Sequence, residues 1–502
     1  MSLRKFPIAI ILATVCVMLL VSSCRKGKTP GSGGANGPRP NIIVLTVDTL
    51  RADHMALYGY HRNTMPAIGA FAETAVVFDQ AVVSRGNTRA SYASMLTGLY
   101  PFHHGVYNNN TVLHENFTTL PEILKSADYY TACFVSNFVL VGELSGCDQG
   151  FDIYDDRVED REANRNNYER SAAGTLKAIL EWLETGPPQP FFLFTNFIDP
   201  HGPYLPPEKF RGLYKSGKER ILNRKQIFSY QRVADSLNYY DYVDRYDGEI
   251  RYVDEALGQL IEALKSKGLW DDAIVIFLSD HGESFGEHNV FFTHQYYVFE
   301  ETVRVPLAIR LPPDGKTQST PLPPRVSGLG SPMDLMPTIL NYLDISFKDK
   351  IDGQSLLPIL NGAEVSDRMI FLEFPEASIP SQRIPVSFAV RSATHKLIRV
   401  FQPDTRQPMG QVVFDITADP LEQRAIRYDD GIELHRKLSK QMDAMLKRVQ
   451  KYEIPFTLTS YEVPLAKRTE YVQQRKKKGP KRIIKPLSDE QIERLRSLGY
   501  VD

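Results

Sequence analysis

Three carboxylates and two histidines follow three apolar runs of the chain, and their types are those that hold cations and move protons. Asp48 ends "NIIVLTVD", Asp199 and His201 close "PFFLFTNFIDPH", and Asp280 and His281 close "AIVIFLSDH". A single aspartate after a strand is an ordinary helix cap. Carboxylates gathered with a histidine at one edge repel each other unless a cation neutralises them, so Asp48, Asp280 and His281 are expected to ligate one divalent metal ion. Oxygen donors with one imidazole suit Mn, Mg, Ca or Zn and leave its identity open. The stretch "GNTRASYASMLTG", residues 86–98, adds a hydroxyl. Thr88 reads either as the cap of a short helix stopped by Gly98 or as a nucleophile. Coordination to the same dication, which makes Thr88 a further expected ligand, lowers its pKa, and the first backbone N–H groups of the helix suit a bound anionic ester. The metal site favours the nucleophile.

The elements that must position these groups follow from hydrophobic patterning. The runs at 41–48, 129–137, 190–199 and 273–280 are rich in β-branched and aromatic residues and do not alternate, as strands buried on both faces do. Helical segments lie between them: 169–184, ended by "TGPPQP", and one carrying Ile250, Val253, Leu257, Leu260, Ile261 and Leu264, closed by Gly268. Alternation of this kind predicts an α/β fold, a doubly wound and mostly parallel sheet with helices on both faces. In such sheets ligands bind beyond the carboxyl ends of the strands, where the chemistry-bearing residues fall. After about residue 370 short strand-like pieces, "VSFAVRS", "HKLIRV" and "QVVFDI", predict a smaller C-terminal antiparallel sheet, and a helix near 432–450 succeeds them. The expected division is an α/β domain at 41–370, a small α+β subdomain at 371–460 and a basic, helical tail at 461–502. The Tyr-rich stretch "SYQRVADSLNYYDYVDRYDGE" reads as a loop and carries no pattern that specifies a ligand.

With 59 basic and 60 acidic residues the 502-residue chain has no global field for nucleic acid. Its N-terminus, Arg4 and Lys5 before the apolar run Phe6 to Val21 and then "VSSC", has the pattern of a lipoprotein signal peptide over 1–24. Lipidation of Cys24 would anchor the chain to a bacterial membrane on its extracytoplasmic side, through a flexible Gly/Ser/Pro tether at 25–40. Cys133 and Cys147 then remain, compatible with one disulfide or with two buried thiols.

A family resemblance rests on ordered blocks: "NIIVLTVDTLRADHMALYGY", "TRASYASMLTGLYPFHHGV", "FFLFTNFIDPHGPYLPP", "FLSDHGESFGEH", "RVPLAIRLP", "DLMPTILNYL", "DGQSLLPIL" and "VVFDITADPLEQ". From about 41 to 426 the chain resembles the sulfatase family of the alkaline-phosphatase superfamily. The resemblance implies a large α/β domain with a smaller C-terminal sheet, one divalent metal, and displacement at sulfur or phosphorus through a covalent enzyme intermediate. It puts Asp48, Asp280 and His281 on metal ligands, His201 on the histidine that contacts the ester or leaving group, and His294 where members carry Lys or His beside the substrate. Arg51 falls near the site, as a substrate contact or a structural salt bridge. Two departures stand out. Thr88 occupies the slot of the Cys or Ser that becomes formylglycine, with Ala90 and Tyr92 replacing the accompanying Pro and Arg, and Thr49 stands where another aspartate ligand is usual. In this the chain resembles the lipoteichoic acid synthase-like and phosphoethanolamine transferase-like members, which work through phosphothreonine. The implied activity is hydrolysis or transfer of a phosphate or sulfate ester, with phosphate favoured; the implied substrate is an anionic ester, of a glycan or a lipid head group. The alternatives are sulfate hydrolysis without formylglycine and a catalytically silent member that binds anionic glycans. His54, His61, His103, His104 and His288 are expected to be structural.

Overall fold

The computed structural model describes residues 39–158, 169–313, 324–363, 367–374, 386–402 and 407–451. The signal segment, Cys24, nearly all of the tether and the tail at 461–502 lie outside the described residues. The described residues from Pro40 onward form one compact unit. No helix among the described residues is long and apolar enough to cross a membrane.

The large sheet contains β1 (Ile42–Val47), β2 (Val76–Ala81), β3 (Tyr130–Phe134), β4 (Ile153–Asp155), β5 (Phe191–Phe197) and β6 (Ile274–Ser279). A small hairpin, β7 (Ser284–Phe285) and β8 (Phe291–Thr293), precedes the last large-sheet strands, β9 (Leu307–Arg310) and β10 (Arg325–Gly330). The order across the eight-stranded sheet is β10-β2-β9-β6-β1-β5-β3-β4. All neighbours are parallel except β9, which runs against both β2 and β6.

The strand runs lack alternation because both faces are covered. In β1, Ile42 and Val44 join one apolar cluster with Tyr92, Met95 and Leu96 of the helix Thr88–Thr97. Ile43, Leu45 and Val47 join the opposite cluster, with Ile179 and Trp182 of the helix Ala172–Glu184 and Val253, Leu257 and Leu260 of the helix Tyr239–Ser266. The last of these begins at Tyr239 rather than near Ile250, so the C-terminal half of the Tyr-rich stretch is helix and not loop. Its start is capped by Asn238, whose side chain accepts from Tyr240 N at 3.2 Å.

The C-terminal sheet is fully antiparallel in the order β11 (Ile370–Phe374), β12 (Val386–Arg391), β13 (His395–Phe401), β14 (Pro408–Asp415) and β15 (Ile426–Arg427). Leu438, Met442, Met445 and Val449 recur at helical spacing along the helix Glu433–Lys451 and pack on it. Its core is continuous with the first cluster of the large sheet, so the boundary expected near 370 separates two sheets that share one core. Cys133 and Cys147 are both buried and both free thiols.

Candidate active site

Register fixes the centre of the site. Val47 at the end of β1 lies beside Phe197 of β5 and Ser279 of β6, so Asp48, the segment Ile198–His201 and the pair Asp280–His281 leave the sheet at one edge. Asp48, Thr88, Asp280 and His281 are all 0 % exposed. Asp48 Oδ2 accepts from Asn137 Nδ2 at 2.6 Å, and Asp280 Oδ1 accepts from the backbone N–H groups of Thr49 (3.2 Å) and His281 (2.9 Å). The other oxygens, Asp48 Oδ1 and Asp280 Oδ2, make no hydrogen bond among the described residues. His281 donates its Nδ1–H to Gly282 O at 2.9 Å, a carbonyl that can only accept, so its Nε2 carries the lone pair. That lone pair stands 3.7 Å from Asp48 Oδ1 and 3.5 Å from Asp280 Oδ2.

Lone pairs opposed across such gaps, within 4.8 Å of one another, fit a shared divalent cation. Electrostatics agree. Burial, and then Asp280, push the Asp48 carboxyl well above its ordinary range; burial pushes Asp280 up to about 8. Thr49, noted in the sequence only as a missing ligand charge, sits in a left-handed conformation at φ 54° with its Oγ1 buried and without a hydrogen bond among the described residues. A β-branched residue held there is strained, as residues at functional sites often are.

Thr88 is the first residue of its helix, and the cap position belongs to Asn87, whose side chain makes no capping bond. The Thr88 hydroxyl instead lies 3.2 Å from His281 Nε2. Tyr92, one turn further on, holds the helix against the strand ends: its hydroxyl bonds Thr46 of β1 and accepts from Asn196 Nδ2 of β5 at 2.8 Å. The expected cradle of backbone N–H groups is partly filled, since Arg89 N–H donates to Asn109 Oδ1 at 3.1 Å.

The two remaining histidines meet the cluster from the side. The His294 ring centroid is 4.3 Å from that of His281 and 5.4 Å from that of His201. His201 donates Nδ1–H to Gly202 O at 2.7 Å, and burial, followed by His294, pushes it down to about 3. His294 faces Glu283 Oε1 through Nδ1 at 3.1 Å, while its buried Nε2 makes no hydrogen bond among the described residues. Glu283, pushed up to about 7 by burial, also accepts from the Tyr204 hydroxyl at 3.1 Å. It was legible only as the last residue of "SDHGE".

Arg51 takes the structural of its two readings. Its guanidinium makes four hydrogen bonds, two to the Asp53 carboxylate, one to Glu287 Oε1 and one to Glu283 O, the partners of a structural salt bridge that also braces the Glu283 backbone. His54 pairs with Asp247, His103 with Asp352, His104 with Ser94 and His288 with Glu301, all packing or linking elements.

Residues 40–345 match the family described as Sulfatase, and residues 286–451 match that described as N-sulphoglucosamine sulphohydrolase, C-terminal. The chain belongs to the sulfatase family. Among relatives of this sulfatase-family hydrolase, an ulvan-active sulfatase of Formosa agariphila is 26% identical over 82% of this chain and 81% of its own length. The multifunctional alkaline phosphatase superfamily protein PehA of Trinickia caryophylli is 22% identical over 76% of this chain and 90% of its own. Solved structures with the same fold include one in complex with its substrate D-glucosamine-2-N,6-O-disulfate, at TM-score 0.68 and 20% identity over 84% of this chain and 100% of the other. The phosphonate monoester hydrolase of Agrobacterium radiobacter superposes at TM-score 0.64 and 19% identity, over 82% of this chain and 96% of the other.

Proposed function

We propose that this sulfatase-family enzyme cleaves phosphate esters through covalent attack by Thr88. One observation carries the reading: the Thr88 hydroxyl, uninvolved in capping, lies 3.2 Å from the lone pair of His281 that faces the two unbonded carboxylate oxygens. Asp48, Asp280 and His281 would hold a divalent cation, which would supply positive charge favouring an ionised hydroxyl and a bound anion. Thr88 loses its proton to solvent on ionising, and its Oγ1 bonds to phosphorus as the P–O bond to the alcohol breaks, leaving phosphothreonine; water then attacks phosphorus, the P–Oγ1 bond breaks, phosphate leaves and the hydroxyl takes up a proton. The neutral His201 of the free protein offers an accepting Nε2, and an incoming anion favours its protonated form, so ester binding brings in the proton that the leaving oxygen takes. His294, oriented by Glu283, stands where a bound ester oxygen meets its Nε2.

Phosphate is favoured over sulfate on chemical grounds. A formylglycine hydrate expels sulfate by collapsing to the aldehyde, whereas an esterified threonine must be released by direct attack, which phosphoryl chemistry accomplishes routinely. The relatives named as sulfatases support sulfate as the second reading. The natural leaving group is an alcohol of a glycan or a lipid head group, presented outside the cytoplasm to a chain anchored through Cys24.

The deciding experiment gives the mature protein matched aryl phosphate, phosphodiester and sulfate esters, with Mn²⁺ and with chelator, and measures intact mass after acid quench. Metal-dependent phosphate turnover with one phosphate on a peptide containing Thr88 is expected. Turnover of the sulfate alone assigns sulfuric ester chemistry instead, and anion binding without turnover assigns a silent binder.

A further inference from the structure

Gln231 is 0 % exposed, yet neither its Oε1 nor its Nε2 makes a hydrogen bond among the described residues. A buried carboxamide left so is costly, and native proteins rarely tolerate it without a purpose. Its position is specific. A Cβ on Gly202 would sit 1.6 Å from Gln231 Oε1 and 2.5 Å from Nε2, so the amide lies directly on the residue after His201. The same segment touches the other substrate histidine's strand: Ile227 bridges Phe291, and the Tyr230 hydroxyl bonds Thr293 Oγ1 at 2.7 Å, one residue before His294. Burial raises the pKa of that hydroxyl, and both Thr293 and Gln231 ease its ionisation, Thr293 through the 2.7 Å bond and Gln231 through an approach that falls outside hydrogen-bond geometry. At the rim of the segment Phe228 stacks on Tyr296, both half-buried, with ring centroids 5.8 Å apart.

We propose that Gln231 is a specificity-determining residue that hydrogen-bonds a hydroxyl on the alcohol side of the bound ester. The assignment rests on the ester-cleaving reading of the neighbouring site. A carboxamide is uncharged and cannot balance the ester anion, so it reads the neutral part of the substrate. It offers donor and acceptor side by side, and a hydroxyl answers both. Its place between the segments carrying His201 and His294 is the one from which it would meet a leaving alcohol handled by those histidines.

The test compares glycerol 1-phosphate with propyl phosphate, which lacks both hydroxyls, by titration calorimetry on the full chain with Mn²⁺. The wild type is expected to bind glycerol 1-phosphate about tenfold more tightly, because a site built to bond a hydroxyl rejects the analogue without it. Gln231→Leu and Gln231→Met keep the packing on Gly202 and should bring the ratio to about one while leaving propyl phosphate binding unchanged. A wild type without preference, a variant that keeps the preference, or variants that lose both ligands equally would overturn the assignment, the last by making Gln231 a mere prop for the loop. Turnover of 4-nitrophenyl phosphate by the wild type reads the underlying activity separately. Preference without turnover keeps Gln231 and sinks the hydrolase reading; turnover without preference does the reverse.

Discussion

The molecule buries two pairs of carboxylates and treats them in opposite ways. Glu300 and Glu422, between the two sheets, are met by cations from β12 and β13: Lys396 Nζ lies 2.9 Å from an oxygen of each, and Arg391 Nε lies 3.1 Å from Glu300 Oε1. Burial opposes ionisation of Glu300, but Arg391 and Lys396 overcome it and hold the carboxyl below its ordinary range, while Glu422, which shares Lys396, is still pushed up to about 7 by burial. Asp48 and Asp280, at the ends of β1 and β6, have no lysine or arginine paired with them among the described residues, and burial drives both upward. A buried charge is tolerated when paired. The chain meets one cluster with its own cations and supplies none to the other, a difference that supports the proposal of the second as the cation-binding, reactive one.

The largest expected effect isolates Thr88 within the incomplete cluster. Thr88→Ala should reduce turnover of the preferred ester by about 10⁴- to 10⁶-fold, as loss of a nucleophile does. Because Thr88 makes no capping bond, thermal stability should change little, and the cation-induced rise in Tm should persist. A variant that lost stability with most of its turnover intact would return Thr88 to a helix-forming role. Next in size is the completed cluster. Lys396→Met leaves buried Glu422 without its cation and Glu300 with Arg391 alone, and should cost about 3–5 kcal/mol in urea unfolding, with no recovery on adding cation.

These clusters differ in how far they could be read from the sequence. Asp48, Asp280 and His281 were legible because strands covered on both faces leave uninterrupted apolar runs, and the residue that ends such a run stands at the sheet edge. Thr88 was legible because its helix carries stop signals and a recurring block. Asn137, Tyr92, Glu283 and Gln231 were not: Asn137 meets Asp48 across 89 residues of chain and Tyr92 meets Asn196 across 104, and no local pattern encodes such encounters. The helix Tyr239–Ser266 was read short for a related reason. Its first turns bury Tyr242 and Tyr246 against Tyr204, Phe285 and Phe292, so tertiary packing of aromatic rings sustains a segment whose composition looks like a loop. The reversed direction of β9 was equally silent, since an apolar run does not carry its polarity.

Asp280→Asn should invert the sign seen at Lys396. The amide keeps its acceptor for the Thr49 and His281 N–H groups while removing an unpaired charge, so cation-free stability at pH 8 should stay equal or rise. The stabilisation by added Mn²⁺, about 2.7 kcal/mol at a hundred times its Kd, should disappear. Denaturation with and without cation distinguishes the two clusters in one comparison; an Asp280→Asn protein still stabilised by Mn²⁺ would move the cation elsewhere.

The smallest effect is a slope. The folded protein holds Asp280 at about 8 against 3.8 in an ordinary aspartate, so without cation the folded state binds more protons than the unfolded state between those values. Stability from this group is therefore complete below pH 4 and is lost as pH rises through 8, by at most about 1.4 kcal/mol per pH unit for one proton. A cation requires the ionised ligand and removes that dependence, so its stabilising effect should grow with pH. Other buried acids titrate across the same range, Glu422 and Glu283 each near 7. The difference between Tm curves recorded in Mn²⁺ and in chelator cancels groups that the cation does not touch. That difference should widen steadily from pH 5 to 8 in the wild type and vanish in Asp280→Asn. Curves that stay parallel would mean that the carboxylates are ionised without a cation, and the contrast with the paired glutamates would fail.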